Sequence, residues 1–221
     1  TLDILINDGL VTSIADYAGI FLFLIQLGII VALVNASGGS AAFGRWAEKN
    51  IKTRVGAMLA TFALGVLIFI DDYFNCLTVG SVMKPVTDRH KISRAKLAYL
   101  IDATAAPICM IAPISSWAAA VSGVADSLDA GISGIELFVR AIPYNYYSLL
   151  TLVFIVTMVV LNIDYGPMKL AEMNALLNGD LGAIEDDVES AQKPNPKGKV
   201  SDLILPVAVL IITCTIGMIY V

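Results

Sequence analysis

The chain has 221 residues, of which 57% are hydrophobic, with a mean hydropathy of +0.80 and a net charge of −5. A soluble domain of this size needs far more polar residues to cover its surface, whereas a spanning helix needs only ~20 apolar ones, so composition points to an all-α integral membrane protein. The net charge excludes little, because in such a protein the position of each charge along the chain carries the information.

Residues 1–16 hold Asp3, Asp8 and Asp16 and no Lys or Arg. A first span is expected over residues 17–36, closed by Ser37, Gly38, Gly39 and Ser40. Residues 43–54 carry Arg45, Lys49, Lys52 and Arg54 against Glu48 alone. With Trp46 this stretch reads equally as an interfacial helix or as a solvated basic loop, and short basic segments of either kind stay in the cytoplasm.

Residues 55–83 are apolar apart from Asp71, Asp72, Asn75, Thr78 and Ser81. A charged side chain at the bilayer centre costs about 2.5 to 3.5 kcal/mol, so two adjacent carboxylates there imply function. A second basic stretch, residues 84–96, follows with Lys84, Arg89, Lys91, Arg94, Lys96 and the only histidine, His90. One helix over 55–83 would be ~43 Å long and would put the two basic stretches on opposite sides. Folded back near Asp71–Asn75, each arm is ~21 Å, shorter than a ~30 Å hydrocarbon core. Charge placement therefore favours a re-entrant helical hairpin with its carboxylates at the tip, where irregular backbone must be buried in protein or line a wet cavity.

Residues 97–123 form a third apolar unit with Asp102, Thr104, Pro107, Pro113, Ser115 and Ser116. Each proline removes a helical hydrogen bond, so a proline-broken helix is expected. Residues 124–136, with Asp126, Asp129 and Glu136 and no base, read as an external loop that Gly131 and Gly134 keep irregular. A span over 137–161 follows, with Arg140 and Pro143 near its start and Tyr144, Tyr146 and Tyr147 as interfacial anchors. Residues 162–200 read as a cytoplasmic linker. Within it, 167–177 is a short amphipathic helix begun by Pro167 and stopped by Gly179, and 185–199 is mobile. A last span covers 201–221, with Pro206 in its first turns.

Of the 14 Lys and Arg residues only Arg140 lies outside the three segments assigned to the cytoplasm, as the positive-inside rule requires. Cys76, Cys109 and Cys214 sit in apolar stretches with no metal or disulfide spacing and read as buried thiols. The chain begins at Thr1 and ends at Val221 in or just after an apolar run, which suggests a piece of a longer chain in which residues 1–161 are the transport core and 201–221 open a second part. No internal repeat is visible.

The block IDDYFNCLTVGSVMKPVTDRHKISRAKLAYLIDATAAPICMIAPISSWAAAVSG, residues 70–123, resembles the signature region of the NhaC-type Na+/H+ antiporter family, whose relatives include sodium antiporters for malate and lactate. It joins two acids, an amide, a basic loop, a third acid and a PxSSW segment in that order. The resemblance implies a fold with helical hairpins dipping into the membrane and a multi-pass protein of the plasma membrane. It makes Asp71, Asp72, Asn75 and Asp102 the ion-handling positions, with Asp71, Asp72 and Asn75 as cation ligands. Thr78, Thr104, Ser115 and Ser116 become neutral oxygen donors. No cofactor is implied. Sodium, protons and the bilayer are the implied partners, a small carboxylate and a homodimer are compatible with them, and nucleic acid is not implied.

Sodium takes several hard oxygen ligands, which carboxylates, amides, hydroxyls and unwound backbone supply. If a proton and Na+ compete for one carboxylate site in an alternating-access protein, the competition alone gives exchange. Structural alternatives stand beside each assignment. Asp71 and Asp72 could cap a hairpin tip, Asn75 could bond freed backbone groups, and Asp102 could pair with Lys96 or Arg94. Ser115 and Ser116 could bond the backbone, and His90 reads as a solvated loop residue. An intramembrane aspartyl protease would present YD and GxGD, and neither occurs. A passive channel or scaffold would carry ions without coupling. Arg140 could meet an organic carboxylate, although such an Arg usually snorkels.

Overall fold

The computed structural model describes residues 2–16, 18–127, 131–182, 195 and 197–220. Among these every regular element is helical. A π-helical stretch, Ile4–Val11, runs into α1 (Thr12–Asp16), followed by α2 (Ala18–Ser37), α3 (Gly39–Asn50), α4 (Arg54–Leu67) and α5 (Asp72–Arg89). Then come α6 (Arg94–Cys109), α7 (Ser116–Ser127), α8 (Gly134–Ala141), a 3-10 turn (Ile142–Tyr144), α9 (Tyr146–Leu161), α10 (Gly166–Leu177) and α11 (Ser201–Tyr220).

The helix starts follow from local chemistry. Thr53, Ser93 and Asn145 each accept a hydrogen bond from the backbone N–H three residues on, at 3.0, 3.1 and 3.2 Å, and so satisfy one orphan donor of α4, α6 and α9. Gly38 adopts φ 84°, a left-handed conformation that glycine reaches without strain, and this turns the chain from α2 into α3. The basic stretch after the first span is thus a helix over most of its length, not a loop.

α6 packs against α4, α5 and α9, and α3 crosses α5. Along α5 the buried residues come in pairs one turn apart: Phe74 and Asn75, Thr78 and Val79, Val82 and Met83, Val86 and Thr87. That stripe joins Met58 of α4, Leu100 and Ile101 of α6 and Ile155 and Val159 of α9 in one apolar core. The opposite face of α5 exposes Tyr73 and Leu77.

α4 and α5 double back on each other around residues 68–71. They pack together, and a single cavity is lined both by Ile51 and Lys52, just before α4, and by Arg89 and His90, at the end of α5. The two basic stretches therefore meet at one end of the molecule.

Four expectations are corrected. The span over 137–161 is divided, because Pro143 enters a 3-10 turn and Asn145 restarts the helix as α9. Gly134 opens α8 rather than keeping its surroundings irregular, since Ser133 caps that helix. Cys76 is only half-buried, whereas Cys109 is buried. His90 is half-buried, and its Nε2 is sequestered from solvent without a hydrogen-bond partner.

Tyr146–Leu177, which comprises α9 and α10 with an interruption at 162–165, is the one stretch among the described residues long and apolar enough to cross a membrane by length and composition. Of the linker, residues 183–194 and 196 lie outside the described residues, including 185–194 and 196 of the part expected to be mobile, as do residues 128–130 of the expected external loop.

Candidate functional site: two helix breaks in contact

The connection between α4 and α5 meets the connection between α6 and α7. Pro107 is accommodated inside α6, which runs on to Cys109, and the chain then leaves helical geometry through Pro113 before α7 starts at Ser116. The Ser116 N–H donates to the carbonyl of Ile70 at 2.7 Å, which ties the two unwound segments together.

Asp71 stands at this junction. It is 3% exposed, and its carboxylate caps α5 by accepting from the Phe74 N–H at 2.8 Å, while the Ser116 side chain hydrogen-bonds to it. Asp72 is half-buried and accepts from the Tyr73 N–H at 3.1 Å. Cys76, one turn further along α5, lies within electrostatic reach of Asp71, Asp72 and also Asp102.

Asn75 is fully buried, and its amide orientation is set by two carbonyls. Nδ2 donates to Gly65 O at 2.7 Å and to Ile68 O at 2.8 Å, the carbonyls that α4 leaves unpaired as it ends. Its Oδ1 is buried with no donor among the described residues. Beside it, Gly65 lets α4 approach α6 closely: a Cβ there would lie 3.0 Å from Thr104 Cγ2 and 3.6 Å from Asn75 Oδ1.

The remaining sequence-predicted donors divide. Thr78 is buried on the same stripe of α5. Thr104 is buried, and its hydroxyl donates to Leu100 O at 2.6 Å. Ser115 is buried and capping: Oγ donates to Cys109 O at 2.7 Å and accepts from the Ala118 N–H at 3.1 Å. Asp102 is exposed. It faces a cavity of about 740 Å³ between α6 and α9 that it shares with Tyr99, Thr151 and Thr157. Lys96 and Arg94 are engaged with Asp164 and Asp88 respectively, so neither neutralises Asp102. Arg140 pairs with Glu136.

The sequence did not point to a second cluster at the open end of the α4–α5 unit. Glu172 of α10, 3% exposed, accepts from the Ser93 N–H at 2.7 Å and pairs with Arg54 at the start of α4. Lys96, 2% exposed, pairs with Asp164, and the Arg94 N–H donates to Leu181 O at 2.8 Å. These bonds fasten α10 and the segments around it to the bases of α4 and α6. A lysine in the first turn of the largely apolar α6 and Glu172 as the one acid of α10 were the available signals.

Among the described residues no three His, Cys, Asp or Glu side chains converge as a metal centre. The junction offers instead a hard, mixed oxygen environment of carboxylate, amide and hydroxyl, beside backbone released by two breaks.

The Na+/H+ antiporter family matches residues 108–221, a little over half of the chain. Of the candidate residues, Ser115 and Ser116 fall inside that region. An uncharacterised protein of Haemophilus influenzae is 41% identical over 206 residues, an overlap that covers 91% of this chain and 38% of the relative. The chain thus spans well under half the length of that relative. No solved structure matches it.

Proposed function

Since the chain belongs to the Na+/H+ antiporter family, we propose that it carries the ion-handling part of a multi-pass secondary transporter that exchanges sodium for protons across the plasma membrane. In this reading α4 and α5 form a re-entrant hairpin whose tip, at Asp71, lies within the bilayer. Residues 1–161 contribute the transport core and α11 begins a further part.

The observation that carries the reading is the Oδ1 of Asn75. A buried acceptor without a donor costs free energy unless something compensates it, and a cation does so directly. The donor side of the same amide is fixed by two carbonyls, so Oδ1 is held in place beside the break. Asp71 adds a buried carboxylate at the start of the same helix. Asp72 follows Asp71 in the chain, the Ser116 side chain bonds to Asp71, and Thr78 shares the buried stripe of α5, so these lend further oxygens; Thr104 and Ser115 are bonded to backbone carbonyls, and Asp102 faces the cavity between α6 and α9 and would act from there.

Sodium and a proton compete for the carboxylate oxygens: Na+ arrival releases the proton, and protonation releases Na+. Coupling follows when the occupied forms, and not the empty one, change access between the two sides. The sodium-coupled organic-anion alternative gains nothing from Arg140, whose guanidinium is taken by Glu136.

Sodium-driven proton movement by the intact protein in proteoliposomes tests the proposal. The reading requires exchange in the wild type and none in the Asp71→Asn, Asp72→Asn double variant; undiminished exchange in that variant removes these acids from the mechanism.

A further inference from the structure

The polarity of α10 is the reverse of that of a helix resting on an aqueous surface. Its acid, Glu172, is buried and turned inward to Arg54 and the Ser93 N–H, beside buried Ala175. Leu170, Met173, Leu176 and Leu177 share the outward side and are 44% to 77% exposed. A helix bathed in water carries its polar residues outward and its large apolar ones inward.

Three bonds fix how this segment lies. Asp164 pairs with Lys96, Glu172 accepts from the Ser93 N–H, and the Arg94 N–H donates to Leu181 O at 2.8 Å. All three partners stand within residues 93–96, at the start of α6, whereas α10 has 12 residues and is ~18 Å long. A helix running alongside α6 would take its partners from successive turns, so α10 lies across the end of α6. Asn162, left-handed at φ 52°, ends α9, and residues 162–165 alone separate the two helices. At no more than ~3.6 Å per residue they hold the start of α10 close to the end of α9.

We propose that α10 lies in the cytoplasmic interface of the bilayer, with its outward face against lipid acyl chains, and does not continue the span of α9. The inference rests on the membrane reading of the preceding subsection. Two observations favour lipid as the occupant of this face. Val160, Leu161 and Ile163 are exposed, so the apolar surface of α9 continues into that of α10. Residues of interfacial type flank the stripe: Tyr165 is exposed at its start, and Lys169, exposed one turn before Met173, lays an apolar stem along it while its ammonium reaches the headgroups. Docked in this way, α10 ties the bases of α4 and α6 to the membrane surface.

Spin labels on the intact protein in phospholipid nanodiscs test this, with Cys76, Cys109 and Cys214 replaced by alanine. Single cysteines are introduced by Met173→Cys and Leu177→Cys on the outward face, Asp180→Cys beyond the helix and Ile29→Cys in α2, all at exposed positions. Labels at 173 and 177 should gain collisions with oxygen and lose collisions with a water-soluble nickel chelate relative to the label at 180, and should report the same depth. Nickel collisions equal to those at 180 put α10 in water and overturn the inference. Collisions suppressed with both reagents put protein over the stripe and overturn it equally. A depth that changes between 173 and 177 by the full rise of four residues, ~6 Å, makes α10 a continuation of the span and overturns it as well. Position 29 separates these failures from that of the membrane reading: a label there that meets nickel as freely as the one at 180 takes α2 out of the bilayer, and the reading fails with it.

Discussion

The N–H of Ser116 donates to the carbonyl of Ile70 at 2.7 Å, and this bond couples the first residue of α7 to the connection that ends at Asp71. Ser116 is the first helical position, where proline is tolerated because its missing N–H has no intrahelical partner. Ser116→Pro therefore removes this bond together with the hydroxyl beside Asp71, without breaking an intrahelical bond, and leaves a buried carbonyl unpaired, a loss of about 1–3 kcal/mol relative to Ser116→Ala. Ser116→Ala keeps the bond and loses only the hydroxyl beside Asp71. Hydrogen exchange at residues 68–75 should rise in the proline variant and stay near wild type in the alanine variant.

Asn75 does two jobs that substitution can separate. In Asn75→Ala the carbonyls of Gly65 and Ile68 lose their donor, and thermal stability without sodium should fall by about 1–3 kcal/mol. Sodium should raise the melting temperature of the wild type by ligand linkage and leave that of Asn75→Ala unmoved. An equal sodium shift in both proteins removes Oδ1 from the ion site.

Asp71 combines a cap with a charge, and asparagine keeps the first while deleting the second. Asn caps as well as Asp, so Asp71→Asn should retain stability, while Asp71→Ala should lose about 1 kcal/mol. Both should lack sodium-driven proton release in proteoliposomes. Transport by Asp71→Asn at the wild-type rate reduces Asp71 to a helix cap.

Much of this arrangement is legible in the chain because it rests on local rules. Asp71 after an apolar run marks a helix break, Pro113 with Ser115 marks another, and the basic stretches predict that the ends of the hairpin meet. Pairings over long separations are different in kind. Glu172 bonds to Ser93, 79 residues away, and Asp164 pairs with Lys96, 68 residues away, and neither distance leaves a periodic trace. The two carbonyls that hold Asn75 become available only because α4 stops at Leu67. Asp102 shares a helix with buried Thr104, yet its direction depends on how α6 rolls against α9. Gly38 was readable as a chain break, but that it turns one helix into another follows from the packing of α3 on α5.

Glu172 closes the base of the hairpin by pairing with Arg54 while accepting from the Ser93 N–H. Removing one partner of a buried pair costs about 3–5 kcal/mol, because the other charge stays desolvated. Arg54 retains 20% exposure, which places Glu172→Gln toward the lower end. Adding Arg54→Met removes the stranded charge and should recover part of the loss. A double-mutant cycle from denaturant melts measures this, and strictly additive losses would falsify the pairing as a stabilising contact.

His90 makes stability depend on pH in a direction that can be worked out. Burial, then Arg89 and Arg54, lower its protonation range below the usual 6.5. On acidification the unfolded chain therefore takes up this proton before the folded protein does, so stability declines as pH falls through 6.5 and is complete above it. Asp88, raised by burial against the opposing pull of Arg94, titrates in both the wild type and a His90→Gln variant, and its contribution cancels in their difference. With only one histidine in the chain, that difference isolates His90. Melting temperatures should converge as the pH falls from about 7.5 to 5.5 if the wild type is the more stable, and diverge if it is the less stable; in both cases the wild type loses more on acidification. Parallel curves over that interval would place His90 in solvent, where the basic-loop reading of the sequence first put it.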